Sequence, residues 1–289
     1  VSVRALDLLR LVWLALPLTV GPAVQDALDG VSTPVTAVAA VGLWGAWAGT
    51  LLALLVPRIV SLTVLRAAAP GVAAAAALAA GRGGVVGVDV LALGTAALVL
   101  VLAAWPTVGT DLVDGSSYGP EARLPLRTPP AIAVLVGPLA VALLLAGATV
   151  GPLLLAARQW VPGGVATVVG FAAAAAAARS LHQLARRFLV LVPGGLVVHD
   201  PMVLVEPVLF GRAALRRVGP AEADSGALDL TLGAGGLVME LAVAEPIDLV
   251  RRGPGRRTSQ AVHARSVLVA PTRPAAFLAA AREHRLPVG

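Results

Sequence analysis

From Leu8 to Ala178 the apolar positions run in long blocks, whereas from Arg186 onward they come in short runs broken by glycine, proline and acidic residues. A helix needs about 20 apolar residues to cross a hydrocarbon core. Six blocks are candidates: residues 8–24, 35–56, 59–80, 85–105, 131–157 and 161–178. The clearest lies between Arg127 and Arg158, where thirty residues pass without a charge. The first block is short and carries Pro17 behind Arg4 and Arg10, so a cleaved signal peptide is its rival reading; no convincing small-x-small cleavage site follows it. The third holds Arg66 and Pro70 and is expected to start as an interfacial piece that enters the bilayer past Ser61.

After Phe188 the spacing becomes that of β-structure. "FLVLVPGGLVVHD" reads as two strands around Pro193, Gly194 and Gly195, and "MVLVEPVLF", "ALRRV", "ALDLTL" and "LVMELAV" continue as short strands. "ARSVLVAPTRPAAFLAAARE" reads as a last strand, a capping Thr272, Pro274 just inside, and a closing helix. The expected fold is a membrane all-α domain of about six transmembrane helices over residues 1–185, then a small barrel-like domain over 186–289.

Composition agrees with a chain whose main solvent is not water. Of 289 residues 58% are hydrophobic and 13% charged, and the mean hydropathy is +0.88. All 22 basic residues are arginine, a bias that fits a GC-rich genome of the actinobacterial sort. The formal charge of +6 does not point to nucleic acid, because the arginines sit at the ends of apolar runs. With no cysteine, disulfides, cysteine-based zinc sites, iron–sulfur clusters and thiol catalysis are excluded.

Arginine counting sets an orientation. With the N-terminus inside, Arg4, Arg10, Arg58, Arg66, Arg123, Arg127, Arg179, Arg186 and Arg187 fall on the inner side, against Arg82 and Arg158 outside. This places the loop from Pro106 to Pro130 and the C-terminal domain in the cytoplasm, in a multi-pass protein of the inner (plasma) membrane. Trp13, Trp105 and Trp160 are expected as interfacial anchors, and Trp44 and Trp47 as packing residues within the second span.

Two regions of this sequence carry a resemblance. The opening "FLVLVPGGLVVHDP" after a membrane helix, with the closing strand, "APTRP" turn and helix, resembles a bacterial pleckstrin-homology-like domain over roughly 100 residues. "PRIVSLTVLRAAAPG" and "DGSSYGPEARLPLRTPP" resemble segments of uncharacterised actinobacterial polytopic membrane proteins. The likeness implies a family and a small tethered domain, and it lends no activity.

Candidate chemistry is sparse. Arg66 and Asp89 are ionisable residues in or near spans three and four, where an unpaired charge is costly, so they form a candidate intramembrane pair. The loop "TDLVDGSSYGPEARLPLRTPP" concentrates polar groups, with Asp111, Asp114, Glu121 and Arg123 as a candidate site. Arg251, Arg252, Arg256 and Arg257, around Gly253-Pro254-Gly255, can meet anionic headgroups or a protein partner. His182, His199, His263 and His284 show no metal-ligand spacing, and there is no nucleophile elbow, phosphate loop or dinucleotide fingerprint, so no catalytic residue, metal or cofactor is expected. The leading expectation is a non-catalytic adaptor, scaffold or lipid-responsive envelope component. A small-solute or ion transporter using Arg66 and Asp89 stands second, and a membrane enzyme using the loop at 107–130 third.

Overall fold

The computed structural model describes residues 4–83, 87–253 and 258–289, and they divide into two compact units. One comprises Val1–Leu112 with Pro138–Leu181, the other Val113–Gly137 with His182–Gly289. The second unit is therefore not the tail alone. It takes in most of the polar loop between the fourth and fifth apolar blocks, and the hairpin of the last two blocks is an insertion in it.

The first unit is helical. In chain order the helices are α1 (Ala5–Thr19), α2 (Gly21–Leu28), α3 (Thr33–Leu55), α4 (Ile59–Gly83), α5 (Gly87–Ala104) and the short α6 (Pro106–Asp114). A π-helical turn (Ile132–Val136) then leads into α7 (Gly137–Ala156), followed by α8 (Trp160–Ala185). Six helical segments are long and apolar enough to cross a membrane, the mark of a multi-pass membrane protein: Ala5–Leu28, Thr33–Leu55, Ile59–Arg82, Gly87–Ala104, Ile132–Ala156 and Trp160–Ala185. The last runs to Ala185, beyond the expected end at Ala178. The first is continuous except at Val20, where α1 gives way to α2 just ahead of Pro22. The helix of the third is unbroken at Ser61 and at Pro70. The expected start of the fourth at Val85 lies outside the described residues.

Side-chain donors crossing between helices repair gaps in the backbone ladder. Trp13 is 1% exposed, so it is no interfacial anchor. Its indole N–H donates to Trp47 O at 3.1 Å and the Trp47 indole donates to Trp13 O at 2.9 Å. Arg10 donates twice to Leu54 O near the C-terminus of α3, at 3.0 and 2.8 Å, and Arg82 donates to Ala27 O at 2.9 Å near the end of α2. Helix-end carbonyls lack intrahelical donors, and in lipid no water replaces them.

The α7–α8 hairpin is sealed by glycine. A Cβ added at Gly147 would strike Gly170 O, one at Gly151 would strike Thr167, and one at Gly163 would lie 2.8 Å from Leu155 N. Gly147 and Gly151 form a G-x-x-x-G step, the spacing that lets membrane helices approach backbone to backbone.

The second unit consists of β1 (Ala122–Pro125), β2 (Phe188–Val192), β3 (Gly195–His199), β4 (Val208–Gly211), β5 (Leu215–Pro220), β6 (Leu228–Asp229), β7 (Met239–Arg252), β8 (Ser259–Val269) and α9 (Pro274–Glu283). The expected barrel is corrected: the strands fall into two four-stranded sheets, β1-β2-β3-β4 and β5-β7-β8-β6, and do not close. Consecutive β4 and β5 stand in different sheets, and an isolated bridge joins Leu204, in the β3–β4 connection, to Arg251 of β7. One apolar core unites them, with Leu189, Leu191 and Phe210 from the first sheet, Leu241, Leu249 and Val267 from the second, and Phe277 from α9. The alternation "FLVLV" sends Leu189 and Leu191 to that core.

Candidate functional site

The polar loop is ordered by its own side chains. Asp114 Oδ1 accepts the Ser117 hydroxyl at 2.8 Å and the Arg123 backbone N–H at 2.7 Å. Glu121 Oε2 accepts the Arg123 guanidinium at 3.3 Å and the Tyr118 N–H at 3.4 Å. Asp111 stands one turn before Asp114 on α6. The loop then enters the first sheet as β1, antiparallel to β2, with Arg123 opposite Val190 and Pro125 opposite Phe188. On this sheet the Arg123 guanidinium lies 5.7 Å from the centre of the Phe188 ring, and the His199 ring stacks on Phe188 at 4.6 Å. His199 Nδ1 is 2.7 Å from Arg186 O. The carboxylates, guanidinium and rings shape a turn and a strand, and the Ser117 hydroxyl is held by Asp114 as part of that turn.

Beside β1 and β2 lies the densest polar construction of the unit. Arg187 Nε and one terminal nitrogen reach Asp200 Oδ2 at 2.9 and 2.7 Å, and the other terminal nitrogen donates to Arg127 O at 3.0 Å. The two side chains are 2% and 0% exposed. Asp200 Oδ1 accepts Met202 N–H at 3.1 Å. Arg127 in turn donates its N–H to Ala270 O at 2.8 Å and its guanidinium to Gly235 O at 2.5 Å. Gly236, at φ +90°, has no room for a Cβ beside that guanidinium. A desolvated charge is tolerable when paired and hydrogen-bonded, and each guanidinium nitrogen of Arg187 has a partner.

Arg187 is thus a buried internal partner, not a membrane-face anchor. Arg127 precedes the inserted hairpin and Arg187 follows it, so this cluster ties the chain where it leaves the unit and where it returns. Thr272 joins the same region: its N–H and hydroxyl both donate to Pro125 O at 2.9 Å. It does not cap α9, whose N-cap is Arg273. His284 adds a link from α9, with Nδ1 2.8 Å from Ala280 O and Nε2 2.7 Å from Pro120 O.

At the end of β7 two of the candidate arginines are kept apart. Arg251 and Arg252 are successive strand residues and face opposite sides of the sheet. Arg251 Nε is buried without a hydrogen bond, and Arg252 Nε donates to Leu204 O at 3.2 Å. Arg256 and Arg257 lie outside the described residues. Arg66 and Asp89 are not brought together either. Asp89, 6% exposed, sits in the first turn of α5, where the helix dipole favours a carboxylate. Arg66 is far down the neighbouring antiparallel α4, about 20 Å away along the axis at 1.5 Å per residue.

A cleft of about 330 Å³ in the second unit is lined by Glu222, Asp229, Thr231, Leu237 and Leu268 among others. Asp229 Oδ1 is already taken by the Thr231 N–H at 2.6 Å. Among the described residues no group of three or more His, Asp or Glu side chains is placed to hold a metal ion. What sequence reasoning missed is the Arg127–Arg187–Asp200 cluster; its one visible signal was a doubled arginine just before a two-strand hairpin that is followed by aspartate. Set against protein-family models, curated proteins and solved structures, the chain matches none.

Proposed function

We propose that the protein is a non-catalytic adaptor or scaffold of the inner (plasma) membrane, multi-pass, with both termini and the second unit on the cytoplasmic side. One observation carries the reading: the β-unit has a two-span hairpin inserted between β1 and β2. The β-unit is built from chain on both sides of the hairpin, joined by the β1–β2 pairing and the buried Arg187–Asp200 pair, and is not merely appended to a last helix. A β-unit interleaved with membrane spans in this way supports a docking role at the membrane. Two crossings between paired strands also return the chain to the side it left, in keeping with the arginine asymmetry.

Within this reading the two sheets and closing helix serve as a pleckstrin-homology-like module. Its partner is an anionic headgroup or a protein met at the membrane surface. The loop carboxylates Asp114 and Glu121 are spent on shaping a turn, which favours this reading over an enzyme, and the separation of Arg66 from Asp89 favours it over a transporter. A fragment beginning at Arg186 would lack β1, so the test uses the full chain. Photo-crosslinking residues placed at Tyr118 and Leu209, 87% and 58% exposed, should give discrete protein adducts in intact cells. Adducts to neither protein nor lipid from both positions would sink the adaptor reading.

A further inference from the structure

The turn of the α7–α8 hairpin carries a second candidate for ligand binding. Arg158 has φ +62°, a left-handed conformation that glycine takes at much lower cost than any residue with a Cβ. The conformation is needed because Arg158 closes α7: its N–H bonds to Leu155 O and that of Gln159 to Leu154 O, both at 2.9 Å. Glycine would perform this closure with less strain. A strained non-glycine residue directs attention to its side chain, and among the described residues the Arg158 guanidinium has no partner.

Arg158, exposed at the turn, is one of the residues lining an open cleft of about 600 Å³, with Pro34, Leu155, Ala156 and Trp160. The lining holds no carboxylate. Pro34 lies in the first turn of α3 and Trp160 begins α8, so the positive ends of two helix dipoles face the same region. The C-terminus of α7 ends at the same cleft, with its Leu154 and Leu155 carbonyls taken by the two hydrogen bonds just described. Trp160 is 68% exposed and stands where one apolar span ends and the next begins, the depth at which indole rings meet headgroups.

We propose that this cleft binds an anionic phospholipid, its phosphate on Arg158 and the start of an acyl chain along Leu155, Ala156 and Trp160. The occupant follows from the charge: a guanidinium and two helix N-termini suit a phosphate, and the apolar remainder suits hydrocarbon. The inference does not rest on the adaptor reading, because the site lies in the helical unit.

The test titrates the full chain in detergent with short-chain phosphatidylglycerol, phosphatidylcholine and inorganic phosphate. Phosphatidylglycerol should bind more tightly than phosphatidylcholine, and free phosphate should compete only weakly. Arg158→Gly keeps the α7 closure, so melting should be unchanged or raised while phosphatidylglycerol binds about fivefold more weakly, the effect of roughly one interfacial charge. Trp160→Ala should weaken both lipids. Equal binding of the two lipids by the unaltered chain, or unchanged binding by Arg158→Gly, overturns the proposal. Phosphate binding as tightly as phosphatidylglycerol overturns the lipid assignment. A loss seen only in Arg251→Gln/Arg252→Gln moves the lipid to the β-unit and likewise overturns it.

Discussion

Arg10 and Arg82 in the helical unit and the buried Arg187 in the β-unit spend their donors differently. In the helical unit Arg10 and Arg82 give their donors to backbone carbonyls, Leu54 O and Ala27 O, at the ends of other helices. In the β-unit Arg187 is sealed against a carboxylate and spares one donor for the carbonyl of Arg127. The difference follows from what each interior lacks. A bundle in lipid is short of donors for its orphan carbonyls, whereas a sandwich core satisfies its backbone in the sheets and admits a charge only with its counter-charge. Arginine in this lysine-free chain is therefore a structural donor as well as a marker of topology.

The comparison breaks first at Asp200. Asp200→Ala leaves the Arg187 guanidinium buried without its counter-charge and should cost about 3–5 kcal/mol. The double change Arg187→Met/Asp200→Leu should recover most of that loss. Because two units need not unfold together, the readout is hydrogen exchange at β2 and β3 amides in the full chain. A loss below about 1 kcal/mol would mean the pair is no more than a surface contact.

The next effect lies in the glycine seam. Gly151→Leu forces a side chain into the place of Thr167 and should cost about 1–3 kcal/mol by overpacking. The readout is hydrogen exchange at the α7 and α8 amides of the full chain in detergent, which should quicken in Gly151→Leu. Unchanged exchange would show that α7 and α8 do not depend on the close approach.

How legible this was in the sequence differed between the units for a physical reason. Membrane helices are dictated by local composition, so the six spans could be read from the blocks, and only ends such as Ala185 and the break at Val20 needed the structure. The sandwich depends on pairing between distant segments. "EARLP" looked like loop because a four-residue strand has no periodicity of its own; it is a strand only because "FLVLV" lies beside it, across two intervening spans. "ALDLTL" read as a full strand, yet only Leu228 and Asp229 pair, and they pair in parallel with β8. The candidate sites were the least legible, since Arg187 and Asp200 owe their importance to burial and Asp114 to a turn, and neither property is local.

A milder change sharpens the account of the helical unit at Arg10. Arg10→Gln removes one of the two donors to Leu54 O and the ion pair with Asp7 at 2.9 Å. It should cost about 1.5–3 kcal/mol, the range for a charged hydrogen bond, read as a lower melting temperature of the full chain in detergent. Arg10→Lys should recover only part, because an ammonium cannot reproduce the fork of donors.

The smallest effect is also the most specific. The Trp13 carbonyl would ordinarily accept the N–H four residues on, but that residue is Pro17, which has none. The Trp47 indole supplies the missing donor at 2.9 Å. The reverse bond, from Trp13 to Trp47 O, goes to a carbonyl whose own helix runs on past Leu51 and can supply a backbone donor. Trp47→Phe should therefore cost about 1–2 kcal/mol, the penalty of an orphaned buried acceptor. In a Pro17→Ala background, where the backbone N–H is restored, the same substitution should cost measurably less. A double-mutant cycle on the melting of the full chain isolates that coupling. A coupling energy near zero would mean that the indole contributes only packing, and that the repair of orphan carbonyls stops at the helix ends held by Arg10 and Arg82.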